Sequence, residues 1–280
     1  MMNLIKADLY RIFKGKAIYI VFIVMIILLG FSCFAMMPSR VGIASAPDTT
    51  ISGSVTEEYL DELMETDSLL TTREIMLKSE GFDLDQAVIG TNVNLYYFFI
   101  VILVVILVGD LSTSTAKNTL SSAVSRKKYY LAKLITVLEV CTLLVFINNY
   151  AAYFINLIMN GSKFSSGLGE ITKTTFLQLP IIYGIISLLV CFGFCFRKTA
   201  SFNGIAIPFM MIIQLILMGV ASLFHLDVNQ ILNYEFQYIV ANLASNPSIS
   251  YIASSILLGV FYIVVFNFIG YSVFKKVEIK

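Results

Sequence analysis

The sequence is poor in the residues on which most protein chemistry depends. It has a single histidine, His225, and only 13% of its 280 residues are charged, against roughly 25% in an ordinary soluble domain. One histidine excludes a metal site built from several imidazoles. The four cysteines lie in apolar runs, where thiols behave as small hydrophobic groups, so no disulfide framework is expected at Cys33, Cys141, Cys191 and Cys195.

Signatures of nucleotide-driven or intramembrane catalysis are missing as well. The chain contains no G-x-x-x-x-G-K-[ST] phosphate loop, no H-E-x-x-H zinc motif and no pair of aspartates inside an apolar run. We therefore expect that the chain is not an enzyme, and we predict no catalytic residue, no metal site and no cofactor in it.

Long apolar runs are abundant in the sequence. Hydrophobic residues make up 58% of the chain and the mean hydropathy is +0.85. Runs of about 20 apolar residues are long enough to cross the hydrocarbon core of a bilayer. Such runs occupy Ala17–Met37, Val93–Gly109, Leu134–Met159, Phe176–Phe196, Ser201–Phe224 and Tyr251–Phe274. The prediction is an all-α, multi-pass membrane protein that forms a single transmembrane domain over residues 1–280.

The distribution of basic residues predicts how the six spans are oriented. Lysine and arginine are concentrated before the first run, between the second and third, between the fourth and fifth, and after the sixth. Basic residues are retained on the cytoplasmic side of membrane proteins. Both termini are therefore expected in the cytoplasm, and the bias alternates correctly through every span.

The N-terminal segment, residues 1–16, has an amphipathic pattern. Ile5, Leu9 and Ile12 fall on one helical face, whereas Asp8 and Arg11 fall on the other. This pattern is typical of an interfacial helix that lies on the inner leaflet. The alternative is a basic anchor that only fixes orientation.

Two of the three connections expected outside the cell have informative patterns. The first, residues 38–92, is strongly acidic, and its capping-box spacings, Ser54 with Glu57 and Thr71 with Glu74, predict two short helices. Either its negative charge concentrates a cationic substrate, or the segment is merely a solvated loop. The second connection, residues 225–250, has no lysine or arginine and alternates apolar and polar residues, which predicts short, re-entrant-like helices in the outer interface.

The connection at residues 110–133 is rich in hydroxyl and basic side chains and is expected in the cytoplasm. Its DLSTSTAKNTLSSAVSRKK stretch predicts a short amphipathic helix over Thr115–Ser125. A helix held between two spans can transmit a push from a soluble partner into the bilayer. The other interpretation is a basic loop that only fixes topology.

This stretch resembles the coupling segment of ABC type-2 permeases, the membrane subunits of bacterial ATP-driven exporters. The family pattern is Gly-Thr-x-(Lys/Arg)-Asn-x-Leu-Ser, then Gly-x-Ser-Arg and a lysine. The matching residues are Thr115, Lys117, Asn118, Leu120, Ser121, Ser125, Arg126 and Lys133, whereas Ser114 and Ala123 replace the glycines. By resemblance, the residues that couple to the ATPase are Thr115, Lys117, Asn118, Leu120, Val124, Ser125 and Arg126.

The resemblance implies a half-transporter in a bacterial cell membrane, in contact with lipid. Two such chains, identical or related, form the pathway as a homo- or hetero-dimer, and a cytoplasmic ABC ATPase binds ATP and Mg²⁺. The expected function is export of an amphiphilic substrate, with antimicrobial peptides and antibiotics as candidates, and no nucleic acid is involved. The alternative is a non-transporting sensor or immunity protein that binds its ligand through the acidic external loop.

The third span carries a stripe of polar residues. At about 100° per residue they fall within roughly a 100° arc, and they are Glu139, Thr142, Asn149, Tyr153 and Asn156. Polar groups avoid lipid, so the stripe is expected to line a pathway, form an interface or join helices as structural hydrogen bonds. Glu139 is a candidate partner for Arg11.

Overall fold

The computed structural model describes residues 1–35, 83–92, 94–113, 115–121, 124–245 and 247–276. Every regular element among them is helical. In chain order these are α1 (Met2–Lys14), α2 (Lys16–Ala35), α3 (Leu84–Thr91), α4 (Asn94–Leu103), a π-helical segment (Val104–Val108), α5 (Gly109–Ser112), α6 (Thr115–Ser121), α7 (Arg126–Asn160), a 3-10 turn (Ser162–Phe164), α8 (Leu168–Phe196), α9 (Thr199–Leu223), α10 (Val228–Leu232), α11 (Phe236–Leu243) and α12 (Ile249–Lys276).

Six helical segments are long and apolar enough to cross a membrane, which confirms the predicted all-α membrane architecture. They are α2, the continuous run Leu95–Ser112 (part of α4, the π-helical segment and α5), α7, α8, α9 and α12. The spans run in alternating directions. One end of the bundle therefore carries Lys133 and Arg126 and the other carries Asp85 and Ser166, and these are called the Lys133 end and the Asp85 end.

The second span changes its winding inside the bundle. Val104–Val108 is π-helical, and the helix resumes at Gly109 and ends at Ser112. A π-helical turn holds an extra residue compared with an α-helical turn, and such turns are frequent at functional sites. This winding, which sequence periodicity did not predict, sets the rotational position of Asp110, two residues beyond its end.

The tightest helix pair is α8 with α12, because glycines let the two backbones approach. A Cβ atom added to Gly259 would lie 2.7 Å from the carbonyl carbon and oxygen of Pro180. Toward the Lys133 end the pair meets α7, where Tyr130 stacks on Phe194 with ring centroids 4.7 Å apart and contacts Asn267. The opposite face of α12 is largely exposed, as is most of the surface of α9.

The connections differ in how much of them is described. The two helices predicted after Ser54 and Thr71 in the acidic 38–92 loop lie outside the described residues, but the last part of the loop forms α3. The 225–250 segment contains α10 and α11. Helix α11 packs on α3 and α8 and buries Ile239 and Leu243. Its first residue, Phe236, contacts Tyr262 of α12, with ring centroids 4.7 Å apart.

Candidate functional site

A cluster of four charged side chains joins three elements at the Lys133 end. Lys133 Nζ lies 2.8 Å from both carboxylate oxygens of Asp8 and also donates to Asp110 Oδ2. Arg11 donates to Asp110 Oδ1 and lies 3.5 Å from Asp8. Lys133 is 1% exposed, and both carboxylates are buried. Two cations thus balance two anions, as buried charges require.

Asp8 lies on the buried face of α1, opposite to the face that the sequence pattern predicted. The amphipathic pattern put it on the polar face of the N-terminal helix, and this expectation is wrong: Asp8 is buried with Ile5 and Ile12. The reason is Lys133, whose ammonium group replaces the water that the carboxylate loses. Arg11 likewise pairs with Asp110 and Asp8 and not with Glu139.

The electrostatics of α1 follow from this burial. Burial raises the pKa of Asp8, and the charge of Lys133 and its hydrogen bond only partly offset this effect. Burial lowers the pKa of Arg11, but the hydrogen bond and charge of Asp110 reverse the direction and raise it overall. Arg11 therefore stays charged, whereas Asp8 takes up a proton more readily than an exposed aspartate.

Arg11 also contacts the π-helical segment. Its Nη2 atom lies 3.3 Å from the carbonyl oxygen of Val105 and 3.4 Å from that of Ile106. Carbonyl oxygens of a π-helical turn have irregular internal bonding, so an external donor helps to satisfy them. The cluster therefore supports the local winding of the second span as well as its end.

The short helix α6 lies in the chain between two members of this cluster. It follows Asp110 and precedes Lys133, so the Asp110–Lys133 ion pair closes the loop that contains it. Ala116 is fully buried and Leu120 packs on the core, whereas Thr115, Lys117 and Asn118 are exposed. The helix is thus seated on the bundle by two small apolar contacts and presents a polar face outward.

The other residues predicted to couple to an ATPase lie elsewhere. Helix α6 ends at Ser121, earlier than the predicted Ser125. Val124 packs against the core, and the Ser125 hydroxyl accepts a hydrogen bond from the backbone N–H of Lys128, which caps α7. Arg126 donates to the carbonyl oxygens of Phe274 and Lys275 at the end of α12. It therefore ties α7 to the last span.

The polar stripe of α7 makes contacts mostly inside this chain. Asn149 Nδ2 lies 3.1 Å from Thr175 Oγ1 and 3.2 Å from Gln178 Oε1, both on α8. Asn156 donates to the carbonyl oxygen of Phe164, and Tyr153 packs edge-on against Phe154. Thr142 Oγ1 lies 3.0 Å from the Tyr183 hydroxyl. These bonds favour the structural interpretation of the stripe. Glu139 differs, because it is exposed.

A chain of amides that sequence reasoning did not connect crosses the Asp85 end. Asn92 donates to Asn148, which donates to Asn149, and Gln178 donates to the carbonyl oxygen of Val240 in α11. Beside it, Asp85 accepts bonds from the backbone N–H and the hydroxyl of Ser166. This network joins α3, α7, α8 and α11. The amide residue types were the only available signal in the sequence.

A cavity of about 420 Å³ lies between the segment before α11 and the first turns of α12. Hydroxyl and aromatic groups line it together with leucines, including Tyr234, Tyr251, Ser254, Leu258 and Phe261. Such a lining can receive a molecule with both polar and apolar parts.

One protein family has a model that matches residues 78–280, more than half of the chain, and its description is a protein of unknown function, DUF2705. The matched region includes Asp110, α6 and Lys133. No curated protein matches the chain.

Proposed function

The chain belongs to DUF2705, a family of unknown function, and we propose that it is the permease subunit of an ATP-driven ABC exporter. In this proposal the Lys133 end and both termini face the cytoplasm of a bacterial cell. A separate ABC ATPase, which binds ATP and Mg²⁺, docks on α6. The pathway is completed by a second permease chain, identical or related.

The observation that carries the proposal is the seat of α6. Its exposed face offers Lys117 and Asn118 to a soluble partner, while Ala116 anchors the helix to the bundle. The Asp110–Lys133 ion pair connects the two spans on either side. A displacement of α6 is therefore passed to the second and third spans together.

Two further contacts connect α6 and its ion pair to other helices. Arg126 binds the carbonyl end of α12, so motion at the foot of α7 also reaches the sixth span. Arg11 links the cluster to α1, which would lie in the inner interface. The cavity at the Asp85 end suits an amphiphilic cargo that leaves toward the outside.

The test is assembly with an ATPase in lipid. The full-length chain is reconstituted in nanodiscs with each ABC ATPase encoded by the same genome, and binding and ATP turnover are measured. We expect one ATPase to bind and Lys117→Glu with Asn118→Asp to weaken binding. Lys276→Glu is the matched control, because it changes an exposed charge at the same end away from α6.

Absence of binding by every ATPase would overturn the proposal. The sensor or immunity interpretation would then stand. Equal loss of binding in the α6 variant and the Lys276 control would show a general charge effect and not docking on α6.

A further inference from the structure

Glu139 is an exposed carboxylate on a membrane-spanning helix. It lies six residues beyond Lys133, which is about 9 Å further along α7, and the five residues between them, 134–138, are LITVL. Within the described part of the chain, its carboxylate has no hydrogen bond or ion pair. Asp8, Asp110 and Glu170, by contrast, each pair with a cation.

Apart from Thr142, the partly or fully exposed side chains beside Glu139 on this face of α7 are apolar. Ile135, Leu143, Phe146 and Phe154 share this face of α7, because residues three or four apart lie above one another on a helix. Leu143 is 41% and Phe154 51% exposed. Glu139 therefore lies in a partly exposed apolar stripe, one turn from its start at Ile135.

One turn further along α7, the hydroxyl group of Thr142 contacts that of Tyr183. These two hydroxyl groups and the Glu139 carboxylate are called the polar spot. Thr142 Oγ1 lies 2.7 Å from the carbonyl oxygen of Leu138, to which it donates its only hydrogen. In its 3.0 Å contact with the Tyr183 hydroxyl, tyrosine must then be the donor. Both hydrogens are used, so the spot offers only acceptor oxygens to an incoming group.

A charged carboxylate facing lipid is unfavourable, and intramembrane charges pair with one another or face a protein interior. A second copy of this chain has no cation at the depth of Glu139 in its described spans. Lys133 is buried in its ion pairs, and Lys173 lies at the Asp85 end beside Glu170. The remaining basic residues of these spans occupy terminal turns at the Lys133 end and are Lys16, Arg126, Lys127, Lys128, Lys275 and Lys276. Because the polar spot offers acceptor oxygens and no donor, the group that complements it is a cation with several N–H donors.

We propose that this face of α7 binds a membrane-spanning helix of a second protein, which carries one arginine or lysine at the depth of Glu139. The inference depends on membrane embedding and not on ATP coupling. The partner helix covers Ile135, Leu143 and Phe146, and its basic side chain bonds to the Glu139 carboxylate.

The probes are synthetic leucine–alanine helices of about 20 residues with lysines at both ends. One carries an arginine about 9 Å from the lysines of one end, and its control has leucine there. Each is mixed in nanodiscs with the full-length chain, which carries a photo-crosslinking phenylalanine derivative in place of Leu143. A second attachment point, Val264 on the exposed apolar face of α12, is the matched site without a carboxylate.

We expect the arginine helix to crosslink at position 143 about fivefold more than the leucine helix. Glu139→Gln should abolish the difference, and position 264 should show none. Equal crosslinking of both helices at position 143 overturns the proposal. Crosslinking of two copies of the chain through position 143, without any peptide, overturns it in favour of a self-association surface.

Discussion

Lys133 Nζ contacts both carboxylate oxygens of Asp8, although 125 residues separate the two in the chain. This contact fixes α1 to the third span, and Asp110 adds the end of the second span. Three elements that are distant in sequence therefore depend on one buried ammonium group.

Lys133→Met should be strongly destabilising. It leaves Asp8 and Asp110 buried with only Arg11 as a partner, and breaking a buried pair typically costs about 3–5 kcal/mol. Thermal unfolding in detergent measures the loss. Lys173→Met is the control, because it removes an exposed pair with Glu170 worth at most about 1 kcal/mol. Similar unfolding temperatures for the two variants would contradict the cluster's structural role.

Ala116→Leu should unseat α6. The Ala116 side chain is fully buried, and adding methylene groups to a packed site costs about 1–3 kcal/mol. Lys117→Ala, its exposed neighbour, should change stability by no more than about 0.5 kcal/mol. Limited proteolysis between residues 113 and 125 reports local release of the helix. Equal protection in both variants would show that Ala116 is not an anchor.

Gly259→Ala should separate α8 from α12. The added methyl group would meet backbone atoms of Pro180 that cannot move aside, so we expect a loss of about 1–3 kcal/mol. Gly204→Ala is the matched control in α9, where the new methyl group meets open space and alanine favours the helix by about 0.5–1 kcal/mol. Unfolding temperatures that move in the same direction for both variants would refute the close approach.

Glu235 should make stability fall as the pH rises. It is 1% exposed, and burial raises its pKa although the backbone N–H groups of Gln237 and Tyr238 oppose the shift. Above its ordinary pKa of about 4.3 the unfolded chain loses this proton first, so the folded state binds more protons until the raised pKa is passed. Glu235 therefore destabilises the fold progressively across that window.

The measurement is the unfolding temperature from about pH 4 upward. Glu235→Gln should flatten part of the slope while its side-chain oxygen still accepts the bond from Tyr238. Glu170→Gln, an exposed carboxylate, should leave the slope in place. An unchanged slope in the Glu235 variant would assign it to another group, such as Asp8.

The six spans could be predicted because membrane burial imposes a length and an apolar composition that are visible in any sequence. Partners could not. The pattern around Asp8 is that of a solvated position, and only the fold shows Lys133 beside it. The π-helical segment was also hidden, since VVILV has no feature that distinguishes it from an α-helical turn. Asn149 and its neighbours were visible as polar residues, but not as members of one amide chain.

Helix α7 has a mechanical consequence of its own. Its 35 residues make it about 52 Å long, whereas the hydrocarbon core is about 30 Å thick. It contains no proline, glycine or π-helical turn, the usual causes of kinks, while every other span contains at least one of them. Such a helix behaves as a stiff rod. If this rod tilts by about 5° about its Arg126 end, Asn160 at the other end moves by about 4–5 Å. A small rotation at one membrane surface therefore produces a larger displacement at the other.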